Sequence, residues 1–156
     1  MRNWMKAVTI AGMLLVPAAA ASAQQQVAGT YTWEMPTRIR NDGGAVSSNA
    51  NAVVKLVLDV RGDSVFGTYT MTPPAGSDAP PPQAREVRGT LNGNKVLFSM
   101  AMQGRVNING EERAINSTST YTLTIDGDVI TGTIDVQTPD MPMTVPIRTF
   151  TGKRVS

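Results

Sequence analysis

The sequence predicts an all-β protein, a single antiparallel up-and-down meander barrel of about eight strands. Two observations lead to this fold class. Apolar and polar residues alternate with a period of two in several segments, as they do in strands with one buried and one wet face. The same hairpin plan, two such segments around a glycine-centred turn, also recurs along the chain. Because no isolated hairpin can bury its apolar face, the hairpins are expected to curl into one closed sheet.

The first segment, residues 1–23, is typical of a cleavable secretory signal peptide. Arg2 and Lys6 precede an apolar run too short to span a membrane comfortably, and Ala21-Ser22-Ala23 offers small residues for cleavage. Residues 24–156 are then expected to form one barrel domain. The sequence has no cysteine, which excludes disulfides and a cysteine-linked lipid anchor. The leader without such an anchor predicts a periplasmic or secreted protein.

The first strand is predicted at Val27 to Met35, where Gly29, Tyr31 and Trp33 share one face with Met35. The polar stretch that follows, Pro36 to Asn51, contains a glycine pair and three asparagines. We interpret it as a long loop over one mouth of the barrel.

Three hairpins make up the middle of the predicted sheet. Each reverses at a glycine beside Asp or Asn, residues that suit tight turns. The turns are Arg61-Gly62-Asp63 within Val54 to Met71, Asn92-Gly93-Asn94 within Arg85 to Met102, and Asp126-Gly127-Asp128 within Tyr121 to Val136. The Arg-Gly-Asp triplet is therefore interpreted as a turn and not as an adhesion motif. Gly132 falls on the apolar face of its strand, which predicts that another group passes close to it.

The remaining segments connect or close the sheet. Thr72 to Gln83 contains five prolines, which have no backbone N–H to donate to a neighbouring strand, so this segment is predicted to be a loop. Arg105 to Ile108 is predicted as a short extra strand. Met141 to Val155 is predicted as the closing strand, bent at Pro142 or Pro146.

The two ends of the predicted barrel resemble the calycin group of lipocalin-like barrels. Members carry Gly-x-Trp in the first strand and a basic residue near the end that lies across the Trp. Here Gly29 is followed by Tyr31 at that position and by Trp33 two residues later, and the last strand ends in Lys153-Arg154. The repeated Gly-Thr pairs are similar to those of small secreted bacterial β-barrel domains. The resemblance implies a fold and carries over no catalytic residue.

Composition argues against most catalytic chemistry. The sequence has no histidine and no cysteine, which removes histidine-based and thiol-based nucleophile systems and the usual zinc sites. Asp126 and Asp128 flank a turn glycine and are interpreted as turn residues, not as an acid pair. Once Arg2 and Lys6 leave with the leader, 12 of the 14 basic residues remain against 12 acidic ones. We expect no enzyme activity, no cofactor, no nucleic-acid partner and no membrane insertion after cleavage, and we expect a monomer.

A binding role remains as the leading hypothesis. Large side chains on the predicted inner faces would form a site for a small apolar ligand, since a barrel of eight strands either fills with side chains or holds one small molecule. These residues are Trp33, Tyr69, Met71, Phe98, Met100 and Tyr121. If they fill the barrel instead, we expect an accessory or structural domain of the cell envelope, with a protein partner docked on the outer apolar residues Val53, Val57, Phe66 and Leu97.

Methionine suggests an alternative function. Met100 with Met102, and Met141 with Met143, form Met-x-Met pairs that place two thioethers on one strand face. Soft sulfur ligands suit Cu(I), so the alternative is a periplasmic copper-binding protein. Filling of irregular gaps in the core is the simpler role for the same residues.

Overall fold

A computed structural model of the protein describes residues 26–40, 46–77, 81–108, 110–139 and 145–155, and for residues 37–40, 46–50 and 105–108 it describes the backbone alone. The predicted signal peptide, residues 1–23, lies outside the described residues. So do Met141, Pro142 and Met143.

Eight antiparallel strands form a closed barrel in chain order, in which β8 returns to pair with β1. The predicted fold class is therefore confirmed. Among the described residues only Gln26 and Val27 are helical, and no helix there is long and apolar enough to cross a membrane. The strands are β1 (Gly29–Arg40), β2 (Val46–Arg61), β3 (Ser64–Thr72), β4 (Ala84–Asn92), β5 (Lys95–Ile108), β6 (Glu111–Asp126), β7 (Val129–Gln137) and β8 (Arg148–Val155).

The three predicted turns are confirmed as two-residue connections. They are Gly62-Asp63 between β2 and β3, Gly93-Asn94 between β4 and β5, and Gly127-Asp128 between β6 and β7. The φ angles of the three glycines are 65°, 62° and 59° in that order. Tight hairpins need this left-handed conformation at the first turn residue, and glycine adopts it without strain. The Arg-Gly-Asp triplet accordingly forms a turn.

The prediction for Pro36 to Asn51 is wrong, because β1 and β2 continue through this segment. Their pairing runs on to Arg40 and Val46 as a ribbon. Pro36 is tolerated in β1 because β1 pairs with β8 only as far as Trp33, so within the part of the chain that the structure describes no strand on that side requires an N–H from Pro36. The strand also begins later than predicted, at Gly29.

Two further predicted boundaries are wrong. Arg105 to Ile108 is the end of β5 and not a separate strand, since β5 pairs with β6 without interruption as far as Ile108. The last strand begins at Arg148, two residues beyond Pro146, whose ring nitrogen cannot donate to a ladder. Thr72 to Gln83 does connect two strands, as predicted.

Alternate residues of the strands fill the interior, and threonines such as Thr122 and Thr133 face outward, as the alternation of apolar and polar residues predicts. At Gly132, a Cβ would come within 2.6 Å of the Phe150 ring, which confirms the close approach predicted at this glycine. The core consists of Val27, Tyr31, Trp33, Val54, Leu56, Leu58, Val65, Tyr69, Val87, Val96, Phe98, Met100, Tyr121, Leu123, Ile125, Ile130 and Ile134.

One end of the barrel is closed by the segment that precedes β1. Arg154 of β8 donates hydrogen bonds to the carbonyl oxygens of Gln26 and Ala28, the second at 2.8 Å, and to the Tyr31 hydroxyl at 2.8 Å. The Tyr31 hydroxyl in turn donates to the Val27 carbonyl oxygen at 2.8 Å. The guanidinium group also lies 5.1 Å from the centroid of the Tyr31 ring. This network seals the closed end.

Candidate binding cleft at the barrel mouth

The opposite end opens because two neighbouring strands separate. β4 pairs with β5 only from Gly89 to Asn92, although β4 continues along β3 as far as Ala84 and β5 continues along β6. The loop between β3 and β4 reaches this gap. The resulting mouth cleft is lined by Tyr69, Met71, Pro73, Pro81, Gln83, Arg85, Met100 and Met102.

The mouth cleft is small. Its volume is about 170 Å³. Pockets for drug-sized ligands are larger, from roughly 300 Å³ upward. The cleft therefore suits a short molecule or one end of a longer molecule that extends into solvent.

Aromatic rings fill the barrel beneath the cleft. Phe98 stacks on Tyr121 with ring centroids 4.7 Å apart, and Tyr121 lies 5.6 Å from Tyr69. Tyr69 meets Trp33 edge to face at 6.2 Å, and Trp33 stacks on Phe150 at 4.4 Å. Of the six residues predicted to line one ligand site, Tyr69, Met71 and Met100 line the cleft. Trp33 and Tyr121 pack against the Tyr69 ring below it, and Phe98 stacks on Tyr121.

Tyr69 and Tyr121 form a buried pair of phenols. The Tyr121 hydroxyl donates to the Tyr69 hydroxyl at 3.3 Å. Burial raises the pKa of both phenols above the ordinary value of 10.0, and the Tyr69 phenol raises the pKa of Tyr121 further. Arg85 and Arg148 act in the opposite direction and lower the pKa of Tyr121. The phenols are therefore neutral hydrogen-bonding groups.

These pKa shifts predict a loss of stability in alkali. The pKa values of Tyr31, Tyr69 and Tyr121, all three tyrosines of the chain, are raised, chiefly by burial. Above pH ~10 the unfolded chain loses phenol protons that the folded protein keeps, so the free energy of unfolding falls as pH rises. Urea unfolding at a series of pH values, with phenolate absorbance followed in parallel, measures this. We expect Tyr69→Phe to reduce the slope, and unchanged stability through pH ~11 would contradict the prediction.

Two arginines at the mouth are not among the residues that the sequence predicts for the site. Arg85 lies directly opposite Tyr69 across β3 and β4, and Arg148 lies directly opposite the buried Ile134 across β7 and β8. Opposed residues share a face of the sheet, so both arginines belong to the inner face at the rim. The spacing of Arg85 two residues before buried Val87 is the signal that places it there.

The copper hypothesis requires Met100, Met102, Met141 and Met143 to converge, and Met141 and Met143 lie outside the described residues. Met100 and Met102 line the same cleft, together with Met71, and the Ser119 hydroxyl donates to the Met102 sulfur at 3.5 Å. Arg85 belongs to the same lining, and its positive charge opposes a cation. The described residues contain no group of three or more His, Cys, Asp or Glu side chains arranged to hold a metal ion.

The outer residues proposed for partner docking are exposed, as predicted. Val53, Val57, Phe66 and Leu97 have exposed fractions of 45%, 37%, 36% and 47%. Each is flanked on both neighbouring strands by a polar or charged residue, as Leu97 is by Thr90 and Thr122. Polar side chains thus interrupt this surface.

The fold and the cleft together define a class of protein, a small closed meander barrel that is sealed at one end and open at the other. In comparisons with protein-family models, with curated proteins and with solved structures, nothing matches this chain.

Proposed function

We propose that this protein is a secreted, non-catalytic binding barrel whose mouth cleft holds a small apolar ligand or the apolar end of a longer one. The observation that carries the proposal is the lining of the cleft, in which three methionines and two prolines surround an opening above Tyr69. Secretion rests on the leader pattern of residues 1–23.

The chemistry of the lining suits an apolar ligand. Methionine side chains are flexible and polarizable, so Met71, Met100 and Met102 can adapt to ligands of different shapes. Pro73 and Pro81 have restricted backbones, which lowers the entropy lost when the loop over the cleft is ordered. The rigid aromatic rings below hold the floor in place.

The two ends of the chain support a calycin-type barrel within this proposal. Arg154 lies across the ring of Tyr31, the residue two positions after Gly29, where calycins carry Trp. Trp33, two positions further, packs against Phe150 and Tyr69 instead. The contact expected for the family is therefore formed by a tyrosine.

Blocking the cleft tests the proposed function. We expect the uncharged probe N-phenylnaphthylamine to bind the wild-type protein saturably, with enhanced fluorescence. Met102→Trp places an indole in a cleft of about 170 Å³ and is expected to weaken this binding at least tenfold, about 1.4 kcal/mol. Fluorescence titration measures both.

The matched control is Leu97→Trp, which adds the same indole to the outer face of the same strand, where the native side chain is 47% exposed. Its probe affinity should equal that of the wild type. Absence of saturable binding, or equal weakening by both substitutions, would overturn the proposal.

A further inference from the structure

One edge of β5 is unpaired near the mouth of the barrel. β5 pairs with β4 only as far as Phe98, although its pairing with β6 continues to Ile108. In the part of the chain that the structure describes, no other strand pairs with this edge, and the backbone hydrogen bonds outside the ladders do not involve Ser99, Ala101 or Gln103. Such an edge offers a row of N–H and C=O groups to another chain.

The turn between β4 and β5 shows which backbone groups of this edge are free. In a two-residue hairpin the residues that close the turn, here Asn92 and Lys95, form a hydrogen-bonded pair. Hydrogen-bonded and non-hydrogen-bonded pairs then alternate along the ladder, so every second residue of β5, counted from Lys95, directs its N–H and C=O towards β4. Beyond the last pair with β4, the first of these residues are Ser99, Ala101 and Gln103.

The β5 edge segment, residues 99–103, lacks the features that protect strand edges. Natural proteins shield such edges with charged side chains or with proline. The facing edge of β4 carries Arg85, Glu86 and Arg88, and the edge of β1 beyond its last pair with β8 carries Glu34 and Pro36. The β5 edge segment has neither a charged residue nor a proline.

The β5 edge segment also specifies how a partner strand would pair with it. The edge of β2 at residues 46–52 is uncharged too, but it consists mainly of serine and asparagine, and a strand that is polar on both faces specifies its register weakly. In the β5 edge segment, by contrast, the inward residues are methionines, with Met100 buried and Met102 half-buried. The outward residues Ser99, Ala101 and Gln103 are exposed.

We propose that two copies of this chain dimerise by antiparallel pairing of their β5 edge segments about a two-fold axis at Ala101. This register places Ala101 opposite the partner's Ala101. It places Ser99 opposite the partner's Gln103, and Met100 opposite the partner's Met102. The free N–H and C=O groups then bond each other, and no like charges are opposed.

The symmetry of the β5 edge segment favours a second copy over an unrelated strand. Its residues read polar, apolar, small, apolar, polar, which is the same in both directions. A two-fold interface requires this property, because the same surface lies on both sides of it. The inference does not depend on the proposed ligand binding. It departs from the monomer expected from the sequence, in which an unpaired strand edge is not visible.

Proline substitution tests the proposed pairing. Sedimentation velocity of the purified protein from about 1 μM to about 1 mM is expected to show a reversible monomer–dimer equilibrium. Ala101→Pro removes an N–H that bonds no strand in the monomer, so the barrel should fold and the dimer should weaken at least about tenfold. The matched control is Ala114→Pro in β6, opposite Arg105. Its N–H also points away from the β5–β6 ladder, and its dimer should be as stable as that of the wild type.

Charge exchange tests the two-fold axis itself. Ala101→Lys and Ala101→Glu each oppose two like charges and should each weaken the dimer about fivefold, whereas an equimolar mixture of the two variants should dimerise at least as well as the wild type. This comparison also decides the matter if the proline variant fails to fold.

Four results would overturn the inference. They are a wild-type protein that stays monomeric throughout, equal weakening by Ala101→Pro and Ala114→Pro, no recovery in the mixture, and assembly beyond the dimer. A monomer that instead binds an unrelated extended peptide along β5 would also overturn it.

Discussion

Replacement of Gly67 by alanine is expected to destabilise the barrel by ~3 kcal/mol or more, or to prevent folding. Gly67 of β3 lies opposite Leu58 of β2, where the two strands approach closely. A Cβ on Gly67 would lie far inside van der Waals contact with the carbonyl oxygen of Val57 and 2.9 Å from its carbonyl carbon. Because these are backbone atoms held in the sheet, no side-chain rotation can relieve the overlap.

Gly104→Ala is the matched control. Gly104 also lies within a strand, β5, but a Cβ there would meet nothing closer than the Ile115 Cγ1 atom at 3.6 Å, an ordinary contact. Its free energy of unfolding in urea should stay within ~0.5 kcal/mol of the wild type. If the two variants were equally stable, close strand approach at Gly67 would not be required for the barrel.

Replacement of Arg154 by alanine is expected to destabilise the protein by ~2–4 kcal/mol. The guanidinium group donates to two carbonyl oxygens of the segment before β1 and to the Tyr31 hydroxyl. Its removal leaves these partly buried acceptors without their donor and uncovers one face of the Tyr31 ring. Urea unfolding followed by tryptophan fluorescence measures the loss.

Three further variants identify which interaction of Arg154 matters. Arg154→Lys should be intermediate, because an ammonium group cannot reproduce the planar fork that reaches several acceptors. Asp128→Ala should have little effect, since Asp128 is 90% exposed and lies 3.8 Å from Arg154. Lys153→Ala, at an exposed neighbour, should also have little effect. A large effect of Asp128→Ala with a small effect of Arg154→Lys would contradict this account.

The hairpins were predictable because their signals are local. Gly62, Gly93 and Gly127 mark turns whose backbone conformation favours glycine, and the alternation on either side assigns the inner face. The extension of β1 and β2 to Arg40 and Val46 was not predictable in this way. This two-stranded extension is polar and buries no apolar face. Its sequence therefore lacks the alternation of apolar and polar residues by which a strand is recognised.

The candidate site was predictable only in part. Tyr69, Met71 and Met100 are large inner-face residues, and the alternation of apolar and polar residues predicts their position. Arg85 and Arg148 lie at strand ends, where the alternation of apolar residues stops, so only the two-residue spacing of Arg85 from Val87 indicates which face it occupies. The cleft beside Arg85 depends on the place where β4 leaves β5, and that separation is a property of the closed sheet.

The pairing of β1 with β8 joins residues more than a hundred positions apart, from Thr30 with Val155 to Trp33 with Gly152. All other neighbouring strands are consecutive in the chain and meet at short sequence separation, with little loss of loop entropy. Formation of this short β1–β8 ladder therefore costs more loop-closure entropy than any other strand pairing described in the barrel. Tyr31, Trp33 and Arg154 lie within that ladder, so their interactions offset the entropy where it is greatest.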